Sequence, residues 1–223
     1  MKMFELEDKT IVIFGFGREG RATFEVLSTK LENAKFIVTD EKSQNIPEYM
    51  SPEEAVLNSG SETIVIKSPG ISPSNKFVQG FLKNGAVISS ATNISFAERK
   101  GRGTMIGITG SKGKSTTASL LAHVLRVCGK QVELVGNIGE PAILHIDDAE
   151  DTIFVIELSS YQLSDLLVGP DVAVALNIFD EHMDYHGGSE GYVNAKLNIT
   201  KSQTKEDIFF YHPNYEELVN AAQ

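Results

Sequence analysis

Hydrophobic positions along the chain follow two alternating rhythms. Short runs of β-branched and aliphatic residues recur at 10–14, 35–39, 63–67 and 86–89, and again at 104–108, 152–156 and 171–177. Runs of this length, bounded by glycine, proline and polar turns, read as buried strands. Between them lie stretches with helical period. Residues 21–31 form one, and 115–128 another, with Leu121, Val124, Leu125 and Cys128 on one face and Gly129 as the stop. Strands separated by helices predict βαβ units and parallel sheets. The rhythm breaks at Arg99-Lys100-Gly101-Arg102-Gly103, which is charged, glycine-rich and without apolar period. That segment reads as a solvated linker. The expected class is α/β, in two domains over 1–98 and 104–223 with residues 99–103 between them.

Composition narrows the function. The chain has 223 residues, 41% hydrophobic and 22% charged, which excludes disorder, collagen and coiled coil as descriptions of the whole. A net charge of −10 argues against a nucleic-acid surface. It leaves phosphate ligands open, because a local ring of backbone N–H groups holds an anion on an acidic protein. No apolar run approaches the roughly 18 residues of a membrane span. The acidic start, Glu5 through Asp8, is unlike a secretion signal, and the single Cys128 forms no intrachain disulfide. A cytoplasmic protein without a membrane partner is expected.

Two glycine loops follow strands and open helices. Gly15-x-Gly17-x-x-Gly20 has Asp40 twenty residues beyond it, at the end of the next strand. This is a dinucleotide-type fingerprint in a Rossmann-like context, with glycines approaching a diphosphate and Asp40 accepting from a ribose hydroxyl. A tight βα turn without ligand is the bland alternative. Gly110-Ser111-Lys112-Gly113-Lys114-Ser115 is the second loop. Its backbone N–H groups suit phosphates, Lys114 the terminal phosphates and Ser115 a Mg²⁺ ion. Ile108 occupies the place of the first glycine in the usual P-loop pattern, so this loop is a shortened form.

Further candidates lie at strand ends. Glu157 closes a buried run, where it either shares Mg²⁺ with Ser115 or faces solvent. The stretch from Asn177 to Gly188 holds two histidines and three carboxylates, which suits either a metal or phosphate site or a plain polar loop. His123, His145 and His212 have no partner pattern. Lys196 reads, by itself, as a lysine on a helix surface.

Together these segments resemble one family, the Mur ligases. Thr109-Gly110-Ser111-Lys112-Gly113-Lys114-Ser115-Thr116-Thr117 is similar to their shortened phosphate loop, and Gly136-Asn137-Ile138-Gly139 to their asparagine turn. Glu157-Leu158-Ser159-Ser160-Tyr161-Gln162-Leu163, residues 177–187 and Tyr192-x-x-x-Lys196 resemble the D-glutamate-adding branch. Glu181 stands where that branch usually has aspartate, Asp180 where proline is common, and Ser111-Lys112 where Thr-Asn is usual.

The resemblance implies a Rossmann-like domain for a uridine-diphosphate substrate, then a P-loop-type, parallel-sheet ATP-binding domain that is truncated at 223. By the same resemblance a C-terminal amino-acid-binding domain is expected to be missing from these 223 residues. It implies ATP-dependent amide formation between UDP-N-acetylmuramoyl-L-alanine and D-glutamate through an acyl phosphate, in a monomer. ATP would contact Gly110, Ser111, Lys112, Gly113, Lys114, Ser115 and Thr116. Of two Mg²⁺ ions, one would be held by Ser115 and Glu157, the other by His182 and a CO₂-carbamylated Lys196. Lys114, His182 and Lys196 would be catalytic. Gly15, Phe16, Gly17, Arg18, Asp40, Glu41, Lys42 and Gly70 would hold the uridine diphosphate. Asn137, Ser159 and His182 would face the muramoyl-alanine end. An NAD-dependent oxidoreductase explains only the first glycine loop, and a non-catalytic nucleotide-binding module only the binding.

Overall fold

A computed structural model describes residues 1–179, 181 and 183–222, with Met183 described by its backbone alone. His182 and Asp180 therefore lie outside the described residues. The chain divides into two compact units, Met1–Ile94 and Ser95–Gln223.

The first unit is a four-stranded parallel sheet. β1 (Thr10–Phe14) is followed by α1 (Arg18–Lys30), β2 (Lys35–Thr39), α2 (Pro52–Leu57), β3 (Thr63–Lys67), α3 (Lys76–Lys83) and β4 (Val87–Ser89). The strand order is β2-β1-β3-β4, with Thr10 level with both Lys35 and Thr63. β1 and β3 are buried on both faces, and so lack the polar alternation of a half-exposed strand. Phe14 packs edge-on to Phe77 and Phe81, joining Val12, Ile37, Val65 and Val78 in one core. Each such side chain, fully buried, contributes about 1.5–3 kcal/mol. α2 starts on Ser51, which with Glu54 forms a capping box ahead of Pro52.

The second unit holds a five-stranded parallel sheet. α4 (Ala91–Arg99) leads to β5 (Thr104–Thr109), α5 (Lys114–Val127), β6 (Val132–Gly136), β7 (Ile153–Glu157), α6 (Ser160–Leu163), β8 (Val172–Ala175), α7 (Met183–His186), α8 (Ser189–Leu197), β9 (Ile208–Tyr211) and α9 (Glu216–Ala221). The order is β6-β7-β5-β8-β9. One core gathers Met105, Phe154, Ile156, Leu158, Leu163 and Ile199. The other gathers Ile108, Ala118, Ala122, Val132 and Val155 beneath α5.

Three sequence expectations are corrected. α5 packs through its small residues, Ala118 and Ala122, which let the helix sit close to the sheet. Val124 and Cys128, expected inside, are exposed. With Leu120, Leu121 and Phe210, Val124 borders an apolar groove of about 600 Å³ against β8. Arg99 is not a solvated linker residue. It ends α4 at 3% exposure, its guanidinium 4.5 Å from the Phe154 ring and donating to the carbonyls of Asp148 and Ala149 at 2.6 and 3.0 Å. Burial, with Arg102 nearby, pushes its pKa down. Lys196 is no surface residue either, being 2% exposed on α8. No helix among the described residues is long and apolar enough to cross a membrane.

Candidate active site

Register fixes where the second unit's chemistry lies. Ile108 of β5 and Gly136 of β6 are both level with Glu157 of β7, and Thr109 is level with Ala175 of β8. All four strands thus deliver their C-terminal ends to one sheet edge, where ligands bind in such folds. The phosphate loop leaves β5 there. Gly113, at φ +86°, is the N-cap of α5; only glycine takes that left-handed turn without strain.

The loop is held from two sides. Ser111 is buried; its hydroxyl donates to the Phe179 carbonyl at 2.9 Å, accepts from Phe179 N–H at 2.8 Å and meets the Tyr192 hydroxyl at 2.8 Å. Lys112 N–H donates to Asn177 Oδ1 at 2.8 Å, and Asn177 Nδ2 returns a bond to the Lys112 carbonyl at 3.0 Å. Lys112 Nζ pairs with Glu181 at 2.5 Å, so its charge is partly balanced before any phosphate arrives.

Two lysines share one carbonyl. Lys114 Nζ donates to the Gly110 carbonyl at 2.8 Å and to that of Ser111 at 3.0 Å. Lys196 Nζ donates to the same Gly110 oxygen at 2.8 Å and stands 4.8 Å from the Tyr192 ring. Tyr192 precedes it by four residues, the spacing that stacks side chains on one helix face. Burial pushes the Lys196 amine from 10.5 to about 7; Lys114 pushes the same way and Glu181 opposes. At neutral pH about half of this amine is therefore unprotonated, a fraction far above that of an ordinary lysine.

Glu157 is 1% exposed. Its Oε1 accepts from Asn137 Nδ2 at 3.1 Å, while Oε2 is buried with no hydrogen-bond partner among the described residues. An unmatched carboxylate oxygen in this setting costs free energy that a divalent cation would recover. The donor set thus fits Mg²⁺, which prefers carboxylate and hydroxyl oxygens. Ser115 lies exposed on the first turn of α5. The Ser159 hydroxyl is engaged in a capping box with Gln162 at the start of α6.

The first unit gathers the other predicted residues. Gly15, Asp40, Glu41, Lys42 and Gly70 line one pocket of about 420 Å³ together with Ile71 and Asn75. Gly17 caps α1, Arg18 starts it, and Phe16 is buried under the Arg21 guanidinium at 4.6 Å. Gly20 is required by contact: a Cβ there would stand 2.0 Å from the Gly15 carbonyl oxygen. Asp40 already accepts from Phe16 N–H at 2.6 Å and from Lys42 N–H at 3.0 Å. It thereby ties the glycine loop to the end of β2, and any ribose contact adds to that.

The Mur ligase middle-domain model matches residues 108–223. The chain belongs to the Mur ligase family. A UDP-N-acetylmuramoyl-L-alanine–L-glutamate ligase of Xanthomonas euvesicatoria is 38% identical, covering 89% of this chain and 46% of the relative. A UDP-N-acetylmuramoylalanine–D-glutamate ligase of Halalkalibacterium halodurans is 32% identical, covering 93% and 48%. The chain spans about half the length of these curated relatives. Among solved structures, UDP-N-acetylmuramate:L-alanyl-gamma-D-glutamyl-meso-diaminopimelate ligase from Neisseria meningitides superposes with TM-score 0.59 at 14% identity, over 96% of this chain and 74% of that one. UDP-N-acetylmuramate-alanine ligase from Thermotoga maritima gives 0.54 at 17%, over 95% and 51%. These likenesses support the fold.

Sequence reasoning missed Asn177 and Phe179 as anchors of the phosphate loop. An asparagine just past a buried strand was the signal for the first; Phe179 acts through its backbone and left none.

Proposed function

We propose that this chain is the nucleotide- and acceptor-binding part of an ATP-dependent cytoplasmic ligase of peptidoglycan precursor synthesis. The ligase joins glutamate to UDP-N-acetylmuramoyl-L-alanine. The observation that carries the reading is the pair of lysines on one phosphate-loop carbonyl, with the buried Glu157 carboxylate on the neighbouring strand.

The chemical problem is charge: the alanyl carboxylate must attack the γ-phosphorus of ATP. The O–P bond to the carboxylate forms as the bond to ADP breaks, and the glutamate amine then displaces phosphate from the acyl phosphate, losing a proton. The Ser111 and Lys112 N–H groups are already given to Asn177, so the N–H groups from Gly113 into the first turn of α5, with the Lys114 ammonium, would cradle the phosphates. Ser115 and Glu157 would hold one Mg²⁺; Lys196, carbamylated by CO₂, and His182, which lies outside the described residues, would hold another. Bound Mg²⁺ supplies Lewis-acid screening of the two approaching anions. Lys196 reacts with CO₂ only as a free amine, and its lowered pKa supports that. Carbamylation exchanges a cation for a carboxylate-like ligand.

In the first unit, Gly15, Gly17 and Arg18 at the start of α1 would take the diphosphate, with Asp40, Glu41, Lys42 and Gly70 beside the nucleoside. Asn137 and Ser159 would face the muramoyl-alanine end. The residues resemble the D-glutamate branch, so D-glutamate is the proposed amine, while several relatives are named for L-glutamate. In the full-length ligase, coupling with each enantiomer decides between them.

Calorimetric titration of the chain with UDP-N-acetylmuramoyl-L-alanine, with ATP at graded Mg²⁺, and with NAD⁺ tests the reading. Micromolar binding of the UDP-sugar and Mg²⁺-dependent binding of ATP are expected. Binding of NAD⁺ in place of the UDP-sugar would overturn the assignment of the first unit.

A further inference from the structure

His186, at the end of α7, has no role in the chemistry above. Its Nε2 lies 3.0 Å from the Ser160 hydroxyl at the start of α6. Its ring stacks on Tyr161 at 5.7 Å and 13°, and meets Tyr185 and Tyr192 edge-on at 4.8 and 5.6 Å. Tyr185 in turn packs edge-on against Tyr161 at 4.5 Å. Burial pushes the Tyr185 hydroxyl up to about 12, with a hydrogen bond to Ser164 opposing and Asp165 adding to the rise. Aromatic side chains from three short helices thus converge on one imidazole.

Attachments of the stretch between β8 and α8 include one near each end. At its start, Asn177 and Phe179 bond to Lys112 and Ser111 of the phosphate loop. At its end, His186 bonds to Ser160, three residues beyond Glu157. The same stretch carries Glu181, the partner of Lys112. Through Tyr192, the aromatic cluster also touches both Ser111 and Lys196.

We propose that the His186–Ser160 bond is a positioning device that sets the phosphate loop, the Glu157 strand end and Lys196 in register with one another. Imidazole suits this role, because its flat ring packs among tyrosines while its nitrogen fixes the rotation through one hydrogen bond. Groups that orient metal-binding residues from behind typically change metal affinity by about 10- to 100-fold when removed. The inference rests on the reading of this edge as a Mg²⁺–ATP and carbamate site.

Three single variants of the full chain, and the double variant His186→Phe with Ser160→Ala, test it. His186→Phe keeps a stacking ring and drops the bond, Ser160→Ala drops the bond from the other side, and His186→Gln restores a polar atom without the ring. The readouts are the Mg²⁺ concentration for half-maximal ATP affinity and the ¹³C carbamate signal of the bicarbonate-equilibrated chain. A third readout is amide hydrogen exchange at Phe179 and Tyr192. His186→Phe and Ser160→Ala should each raise the Mg²⁺ midpoint about tenfold. The double variant should be no worse than either alone, because both remove one interaction, and His186→Gln should recover part of the loss. Both single variants should also speed exchange at Phe179, at the opposite fastening.

An unchanged Mg²⁺ midpoint with unchanged exchange at Phe179 would overturn the proposal, as would multiplicative losses in the double variant. If the wild-type chain shows neither carbamate nor Mg²⁺-dependent ATP affinity, the site reading fails. The coupling of Ser160 to Phe179 exchange then still decides the positioning role.

Discussion

Replacing Lys196 by methionine removes a buried amine while keeping most of its volume. The wild-type amine titrates near 7, against 10.5 for the ordinary side chain. Below pH 7 both folded and unfolded chains carry the ammonium, and the folded state bears the whole cost of burying it. Between about pH 7 and 10.5 the unfolded chain binds more protons than the folded one, so wild-type stability rises with pH in that window. Each pKa unit corresponds to about 1.4 kcal/mol. From about pH 7 to 9, allowing for half-titration at the lower end, Lys196 should return about 2 kcal/mol. Lys196→Met has no such gain, and its Gly110 carbonyl is still bonded by Lys114. Urea unfolding of both proteins at about pH 7, 8 and 9 reads the difference; CO₂-free buffer keeps the amine unmodified. Far-UV circular dichroism is the signal, since the chain has no tryptophan. The advantage of the variant over wild type should shrink by about 2 kcal/mol across the range. A difference that stays flat with pH would refute the lowered pKa and with it the ready supply of neutral amine.

Other expectations follow from contacts already described. Gly20→Ala drives a methyl into the Gly15 carbonyl and should cost about 3 kcal/mol, whereas Gly17→Ala meets nothing within 4 Å and should stay within about 0.5 kcal/mol of wild type by the same unfolding assay. Arg99→Leu loses two charge-assisted hydrogen bonds and a cation–π contact, and should lower the stability of the second unit by about 2–4 kcal/mol; a variant as stable as wild type would show the clamp to be idle. Leu120→Gln combined with Phe210→Gln, both exposed beside the apolar groove, should leave the urea midpoint nearly unchanged and reduce binding of a hydrophobic dye by more than about half.

Much of the fold was legible because parallel strands buried on both faces are written as unbroken apolar runs. β1, β2 and β3 match the expected 10–14, 35–39 and 63–67. β6 and β9 were not read. Glu133 interrupts the first, and β9 lies at the sheet edge with Ile208, Phe210 and Tyr211 exposed. Both glycine loops were legible from local spacing and both open helices. Lys196 was not: in sequence it sits among Asn194, Leu197 and Asn198, and its surroundings include the distant Gly110 and Lys114. Arg99 failed for the same reason. Its partners, 49 to 55 residues away, turn a string of charges and glycines into a buried clamp. Local pattern encodes backbone state; the environment of a charged side chain depends on which strands the topology makes neighbours.

That distinction bears on how the site works. Lys114 is obvious in sequence as a phosphate ligand, yet its ammonium donates to two carbonyls of its own loop. Under the proposed function a phosphate would have to draw it away from these bonds, which is an exchange of charge-assisted partners. Meanwhile its charge adds to burial in lowering the pKa of Lys196. The Lys114 ammonium thus favours the neutral form of its neighbour, and under the proposed carbamylation it would attract the carbamate. The Gly110 carbonyl joins both states, because it can keep one lysine as donor when the other is recruited or modified. Carbamylation at Lys196 would thus place an anion beside Lys114 where an amine of lowered pKa stood. If CO₂ modifies Lys196, bound CO₂ and bound ATP should change one another's affinity by the same factor, whichever arrives first.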